Sequence, residues 1–257
     1  MGDRFRRLLP RTLRPTLDLV RVQRGALRPI FRFLRRYGFT VRAGPFAGLR
    51  YPRSTVLQMP SRVPHLAGTF EAELHPVIEA IVKSRPSRLV NLGAADGYYA
   101  VGMRLRLPDT QVTAFEADPV RFRLCSRVAR LNGTKIDLRG LCTVQALAAL
   151  DATGATVLCD VDGAEMELID PEHVGWLRTA TLLVEVHEAL APGVTDELLE
   201  RLGPTHSLEW IEQRPHFLAD PAHSMFWSLG LSPIQQQMIL SELRPIPTPW
   251  LWAIPKG

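Results

Sequence analysis

Apolar and polar positions follow one pattern up to about residue 68 and another beyond it. From residue 70 onward, short apolar runs alternate with amphipathic stretches. FEAELHPVIEAIVKS (70–84) has helical spacing, and RLVNL (88–92) is an apolar strand that enters a glycine turn. The same rhythm continues with a helix at 97–107, a strand at 111–116, a helix at 119–131 and a strand at 137–144. A short helix at 145–150, a strand at 155–161, a helix at 164–169, a strand at 179–187 and a helix at 193–202 follow. HSLEWIE (206–212) and PWLWAIP (249–255) read as two more strands, with a helix near 233–243 between them. The strands are rich in Val and Leu with little alternation, as expected where both faces of a sheet are covered. Repeated βα units predict a doubly wound α/β domain.

The first part of the chain reads differently. Leu27, Ile30, Phe31, Phe33, Leu34 and Tyr37 keep helical spacing within 16–37, with Arg28, Arg32, Arg35 and Arg36 mostly on the other side. Gly25 and Pro29 are expected to break or kink this helix. FTVRAGPFAGLRYP (39–52) predicts a short hairpin, and 53–68 a linker loop. The expected division is a basic extension over 1–65 and an α/β domain over 66–257.

Composition sharpens this division. Residues 1–53 hold 14 Arg, no Lys and only Asp3 and Asp18 as acids, a net +12, while residues 54–257 hold 17 Lys+Arg against 24 Asp+Glu, a net −7. The basic balance therefore belongs to the extension. Its expected partners are the rest of the chain or a second copy (a homodimer), then a peripheral membrane surface, then nucleic acid. No apolar run reaches the ~18–20 residues that span a bilayer. The three cysteines, Cys125, Cys142 and Cys159, form no CxxC pair. A zinc site or disulfide framework is not expected, and a reducing cytoplasm fits.

The chemistry centres on NLGAADGYY (91–99). A nicotinamide fingerprint wants G-x-G-x-x-G, and this chain has Gly93, Ala95 and Tyr98 at those positions. The P-loop pattern is absent, and Asp96 would repel phosphates. A cofactor without phosphates but with a cationic amino-acid end, S-adenosylmethionine, suits an acid in the turn. Glu116, at the end of the next strand, suits ribose hydroxyls. The bland alternative is that Gly93 and Gly97 only make a tight strand–helix turn. Beyond the strand ends lie Asp160 and Asp162, then Glu185 and His187. His187 is the natural general base, because its unperturbed pKa lies near neutrality, with Asp162 or Glu165 to orient it or the acceptor. A divalent metal is a competing use of Asp160, Asp162, Glu185 and His187.

These segments together resemble the cofactor half of class I methyltransferases of the FkbM type. The matching segments are Gly93–Tyr98, Phe115-Glu116-Ala117-Asp118-Pro119, Leu131-Asn132-Gly133, Asp160–Glu165 with Asp162 where that family has glutamate, and Glu185-Val186-His187. The resemblance covers roughly 66–190. It implies a Rossmann-like, seven-stranded, mostly parallel sheet with an antiparallel last strand, helices on both faces, and the N-terminal extension outside it. It further implies S-adenosylmethionine as cofactor, held by Asn91, Gly93, Ala94, Asp96, Gly97, Glu116, Ala117 and Asp160. Catalysis would fall to His187, Asp162 and Glu185, with methyl transfer to a hydroxyl of a small-molecule or sugar acceptor. The alternative is a non-catalytic domain of the same fold whose basic arm binds an anionic surface. The segment 213–247, with His216, His223 and Trp227, is positioned to act as an acceptor lid.

Overall fold

Alternate residues of each central strand belong to two different hydrophobic clusters, so the sheet is buried on both faces. In the computed structural model, which describes residues 28–54, 62–213, 225–226, 228–240 and 248–256, seven strands form one sheet. They are β1 (Arg88–Leu92), β2 (Gln111–Phe115), β3 (Asp137–Arg139), β4 (Thr156–Cys159), β5 (Thr181–Glu185), β6 (His206–Ile211) and β7 (Trp250–Pro255), in the order β3-β2-β1-β4-β5-β7-β6. Pairings are parallel from β3 to β5, whereas β7 lies antiparallel between β5 and β6. The seven-stranded, mostly parallel expectation is met.

Leu89, Val112, Leu158, Leu183, Trp250 and Trp252 point into the first cluster, while Val90, Leu92, Val157, Cys159, Leu182 and Val184 point into the second. This period of two is the pleat itself. Helices α3 (His75–Ser84), α4 (Tyr98–Arg106) and α5 (Pro119–Leu131) supply Ile78, Ile81, Val101, Met103, Cys125 and Val128 to the first cluster. Helices α6 (Val144–Ala148), α7 (Glu165–Leu168) and α8 (Val194–Leu202) supply Leu147, Leu168, Leu198 and Leu202 to the second. Local chemistry sets the helix starts. Asp118 caps α5 by accepting from the backbone N–H groups of Val120 and Arg121, and Pro119 occupies the first turn. Thr143 caps α6 through Ala146 N–H, so β3 stops at Arg139 rather than running to 144.

The N-terminal segment differs most from expectation. Residues 28–37 are helical and form α1, with Pro29 inside the helical stretch rather than at a break. The stretch 39–52 is not a hairpin but a looped turn closed by a single Thr40–Arg50 bridge. Part of the expected linker is helix α2 (Val63–Ala67), with every residue buried and Pro64 at its start. Ile30, Phe33, Leu34, Val41, Phe46, Leu49, Val63 and Leu66 all join the same cluster as Leu89 and Tyr98. The covering layer of one sheet face therefore includes the extension. Helix α9 (Pro233–Leu240) adds Ile239 and Leu240 to it. Residues 16–27 of the expected first helix, the middle of the expected linker, and His216, His223 and Trp227 of the expected lid lie outside the described residues.

The chain runs from β1 through β2 to β3 on one side and resumes at β4 on the other. The carboxyl ends of β1 and β4 therefore flank the topological switch point, where open α/β sheets bind ligands.

Candidate active site

The glycine turn after β1 is held by its own neighbours. Gly93 has φ +77°, and a Cβ there would stand 1.7 Å from the carbonyl oxygen of Asp160. Only glycine lets the β1 exit pass this close to the β4 exit. Gly97 has φ +91°, and its missing Cβ leaves room for Val101 and the Cys125 thiol where α4 meets α5. The backbone N–H groups of Gly93 and Ala94 both donate to Phe115 O, at 3.0 and 2.8 Å. Ala94 is buried, whereas Ala117, after Glu116, is exposed.

Glu116 joins the two strand exits. Its Oε2 accepts from Ala95 N–H at 2.6 Å and its Oε1 from Asp118 N–H at 2.8 Å. An ionised carboxylate has about four acceptor sites, so two remain for a ligand. Asn91, inside β1, donates from Nδ2 to Leu158 O on β4 at 3.2 Å, and its buried Oδ1 has no hydrogen-bond partner among the described residues.

Asp96 meets a cation, but that cation belongs to the chain. Its carboxylate is 1% exposed, its Oδ1 accepts from Tyr98 N–H, and its Oδ2 lies 2.8 Å from Arg62 Nη1. The same Arg62 nitrogen is 3.1 Å from His65 Nε2, and the His65 ring stacks on Phe70 with centroids 3.8 Å apart. Burial first, and then the Asp96 charge, push the neighbouring Tyr51 hydroxyl well above its ordinary pKa. Arg62 and Tyr51 thus tie the extension to the glycine turn. The sequence reading did not anticipate this partner.

Beyond β4 and β5 the expected residues converge. His187 is buried, and its Nδ1 is 2.6 Å from Glu165 Oε1. Its Nε2 faces three carboxylates at nearly equal range: Asp162 at 3.7 Å, and Asp160 and Glu185 at 3.8 Å each. Glu165 is fully buried at the start of α7, and its Oε1 also accepts from Gly163 N–H. Because a carboxylate only accepts, the imidazole carries its proton on Nδ1 when neutral, which leaves Nε2 as a base facing the cleft. Burial works against the imidazolium. The Glu165 hydrogen bond and the charges of Glu185, Glu165 and Asp162 outweigh it and raise the His187 pKa above 6.5.

The Asp160 carboxyl is pushed well above the usual carboxylate range, first by desolvation and then by Glu185, with Glu71 and Asp162 adding to it. Its side chain keeps 37% of its surface exposed, so the effect is weaker than full burial would give. Glu185 accepts from the Thr248 hydroxyl. Glu71, buried just before α3, accepts from the hydroxyl of Tyr99 on α4. Among the described residues, the non-glycine residues with positive φ are Arg85 and, around this site, Glu71, Ala95 and Asp162. Strained backbone of this kind concentrates where side chains must be aimed.

Ligand atoms of Asp160, Glu185 and His187 lie within 4.8 Å of one another, close enough to hold a divalent ion. Metal-bound histidines commonly donate their other ring N–H to a carboxylate, as His187 Nδ1 does to Glu165 here. The cysteines take no part. Burial raises the thiol pKa of Cys125 and Cys142 to about 12, and burial also pushes the Cys159 thiol well above its ordinary value.

Of the residues named from the sequence, the structure brings Asp160, Asp162, Glu185 and His187 together and sets Glu116 against the glycine turn. Sequence reasoning missed Arg62, Glu71 and Thr248. For Glu71 one signal exists: it is the first acid after Asp18, and it ends a run of 52 residues with none.

No protein-family model matches the chain, and no curated protein does. Solved structures do. The O-methyltransferase TomG from Streptomyces achromogenes, involved in tomaymycin synthesis and solved in complex with SAM, is 13% identical. It aligns over 81% of this chain and 92% of its own, with a TM-score of 0.51. The O-methyltransferase from Bacillus cereus, in complex with SAH, is 12% identical over 79% of this chain and 90% of its own, also with a TM-score of 0.51. At these identities the likeness is one of fold: the chain has the Rossmann-like architecture that these O-methyltransferases share.

Proposed function

We propose that the protein is an S-adenosylmethionine-dependent methyltransferase acting on a hydroxyl of a small-molecule or sugar acceptor. The observation that carries this reading is the concentration of carboxylates at the switch point. Asp160, Asp162, Glu165 and Glu185 gather around His187, and Glu71 lies near enough to Asp160 to help raise its pKa. Such a site calls for a cation. A braced glycine turn and a carboxylate with spare acceptor sites beside it suit an adenosine. The residues present therefore fit S-adenosylmethionine, which supplies a methyl group on a sulfonium and carries an ammonium.

Glu116 would accept the ribose hydroxyls, and the Gly93–Ala94 turn would hold the adenosine side of the cofactor. Asp160 and Glu71, on the opposite side of the turn from Glu116, balance the cationic amino-acid end. Asn91 offers its unused Oδ1. Asp96 acts through the turn, which it holds to Arg62. His187 accepts the proton of the acceptor hydroxyl at Nε2, and Glu165 fixes its tautomer and stabilises the imidazolium. Glu185, held by Thr248, and Asp162 orient the acceptor. The acidic cleft excludes phosphorylated and carboxylated acceptors by repulsion and favours neutral hydroxyls. The motif resemblance to FkbM-type enzymes points the same way. A non-catalytic role would leave the buried His187–Glu165 pair without a purpose.

The test is transfer of labelled methyl from the cofactor into pooled neutral polyols and sugars, with His187→Ala as the comparison. Transfer by the wild type, and loss of turnover with cofactor binding retained in the variant, support the reading. Full turnover by His187→Ala contradicts the base assignment. The donor set at Asp160, Glu185 and His187 supports a second reading, in which a divalent ion holds the acceptor oxygen. Chelator-sensitive turnover restored by added metal distinguishes it.

A further inference from the structure

Helix α1 has two unlike faces. Ile30, Phe33 and Leu34 face inward and are buried. Phe33 stacks on Phe226 with ring centroids 5.5 Å apart, and Tyr37 bonds to Met225 O at 3.0 Å and to the Ser228 hydroxyl at 2.7 Å. The helix is therefore fastened to the C-terminal segment. Its outward residues are Arg28, Phe31, Arg32, Arg35 and Arg36, all exposed, and Phe31 is 57% exposed. Residues 28, 31, 32, 35 and 36 follow the i, i+3, i+4 spacing of a single helical stripe.

Among the described residues, no acid pairs with this stripe. Between Asp18 and Glu71 the sequence holds ten arginines and no acid. Among the described residues, the one arginine of this stretch in an ion pair is Arg62, which is paired with Asp96. Arg32 reaches only a carbonyl, Leu229 O at 3.5 Å, and Arg36 lies over the Tyr37 ring at 6.0 Å. Like charges at i, i+4 weaken a helix, so the stripe does not stabilise α1 by itself. The rest of the molecule is oppositely charged, since residues 71–257 hold 16 Lys+Arg against 24 Asp+Glu. The charge is thus unevenly divided along the chain, with α1 in the positive part.

We propose that the outward face of α1 docks on the anionic leaflet of a lipid bilayer. Guanidinium groups pair with lipid phosphates in bidentate fashion, and a phenyl ring between them enters the headgroup–acyl boundary. Each arginine near an anionic leaflet strengthens binding roughly fivefold. The composition of the face disfavours nucleic acid. It holds only Arg and Phe, with no Asn, Gln, Ser or Lys to read base edges, and it is a helix crest rather than a groove lined with stacking platforms. No helix among the described residues is long and apolar enough to cross a membrane, so the contact is peripheral.

The test uses the full chain with vesicles of phosphatidylcholine alone and of phosphatidylcholine with 30% phosphatidylglycerol. Flotation should show at least tenfold stronger partition onto the anionic vesicles, weakened by 0.5 M salt. Arg28→Gln, Arg32→Gln, Arg35→Gln and Arg36→Gln combined should abolish most of it. Phe31→Ala should weaken it several-fold with an unchanged salt slope. These residues are exposed, so melting temperatures should stay at the wild-type value. Should the fourfold variant fold poorly, Phe31→Ala and Phe31→Asp carry the test alone. Equal binding to neutral vesicles, wild-type binding by the variants, or tighter binding to single- or double-stranded RNA than to anionic vesicles would overturn the proposal.

Discussion

Replacing Arg62 with alanine should destabilise the protein more than any loss of packing at that position suggests. Asp96 is 1% exposed and Arg62 13%, and their charged atoms are 2.8 Å apart. Solvent screening is therefore slight. Removing one partner of such a pair leaves a buried, uncompensated charge, which costs about 3–5 kcal/mol. For a chain of this size one kcal/mol lowers the melting temperature by about 2–4 °C, so Arg62→Ala should melt about 6–20 °C below wild type. Tyr98 N–H still binds Asp96 Oδ1, so the lower half of that range is the better expectation. Arg62→Met with Asp96→Asn should regain a large part of the loss, because neither charge then remains buried. The assay is thermal unfolding of the wild type, both single variants and the double variant. Arg62→Ala melting within 1 °C of wild type, while Asp96→Asn abolished cofactor binding, would refute the reasoning. Asp96 would then serve the ligand and not the latch.

Gly93→Ala should leave little soluble protein, because its Cβ would meet the Asp160 carbonyl at 1.7 Å and two backbone segments cannot rotate apart. Gly133→Ala is the control: its φ is also positive at +65°, but nothing lies within 4 Å, so it should cost only the left-handed penalty of about 1–2 kcal/mol. Glu165→Gln should move the acid limb of the turnover profile to lower pH, since it removes the hydrogen bond and one of the charges that raise the His187 pKa and leaves Glu185 and Asp162 against burial. The raised His187 pKa also sets a stability trend. The contribution is full below pH 6.5 and is lost as pH rises through the raised value, as a urea titration at several pH values would show. Glu71→Gln should weaken S-adenosylmethionine and S-adenosylhomocysteine about 10–100-fold and leave methylthioadenosine unaffected, because only the first two carry the ammonium. Equal losses for all three nucleosides would make Glu71 structural.

The parallel sheet was legible because its strands are apolar on both faces and each is followed by a capped or amphipathic helix. Glu116 was legible for a related reason: an acid at the end of the second strand has one place to go once the sheet is doubly wound. The extension was not. Pro52, Pro60 and Pro64 read as loop signals, yet Pro64 begins helix α2, where proline is tolerated because the first turn needs no N–H partner. The stretch 39–52 alternates like a hairpin but makes one bridge, because Val41, Phe46 and Leu49 bury themselves in the sheet's covering layer instead. Asp96 shows a different limit. Its need for a cation was evident from residue type, but the partner stands 34 positions upstream, in a segment whose periodicity carries no signal. Glu71 is similar, since its carboxylate reaches Tyr99 through tertiary packing that no local pattern records.

Calorimetric titration of the wild type and Glu116→Ala with S-adenosylmethionine tests the central claim most directly. The account predicts one site per chain with a Kd of about 1–100 μM. It also predicts binding at least tenfold weaker in the variant, with the fold intact by circular dichroism. A folded wild-type protein that gives no binding signal at 1 mM cofactor, or a Glu116→Ala variant that binds as tightly as wild type, would contradict it.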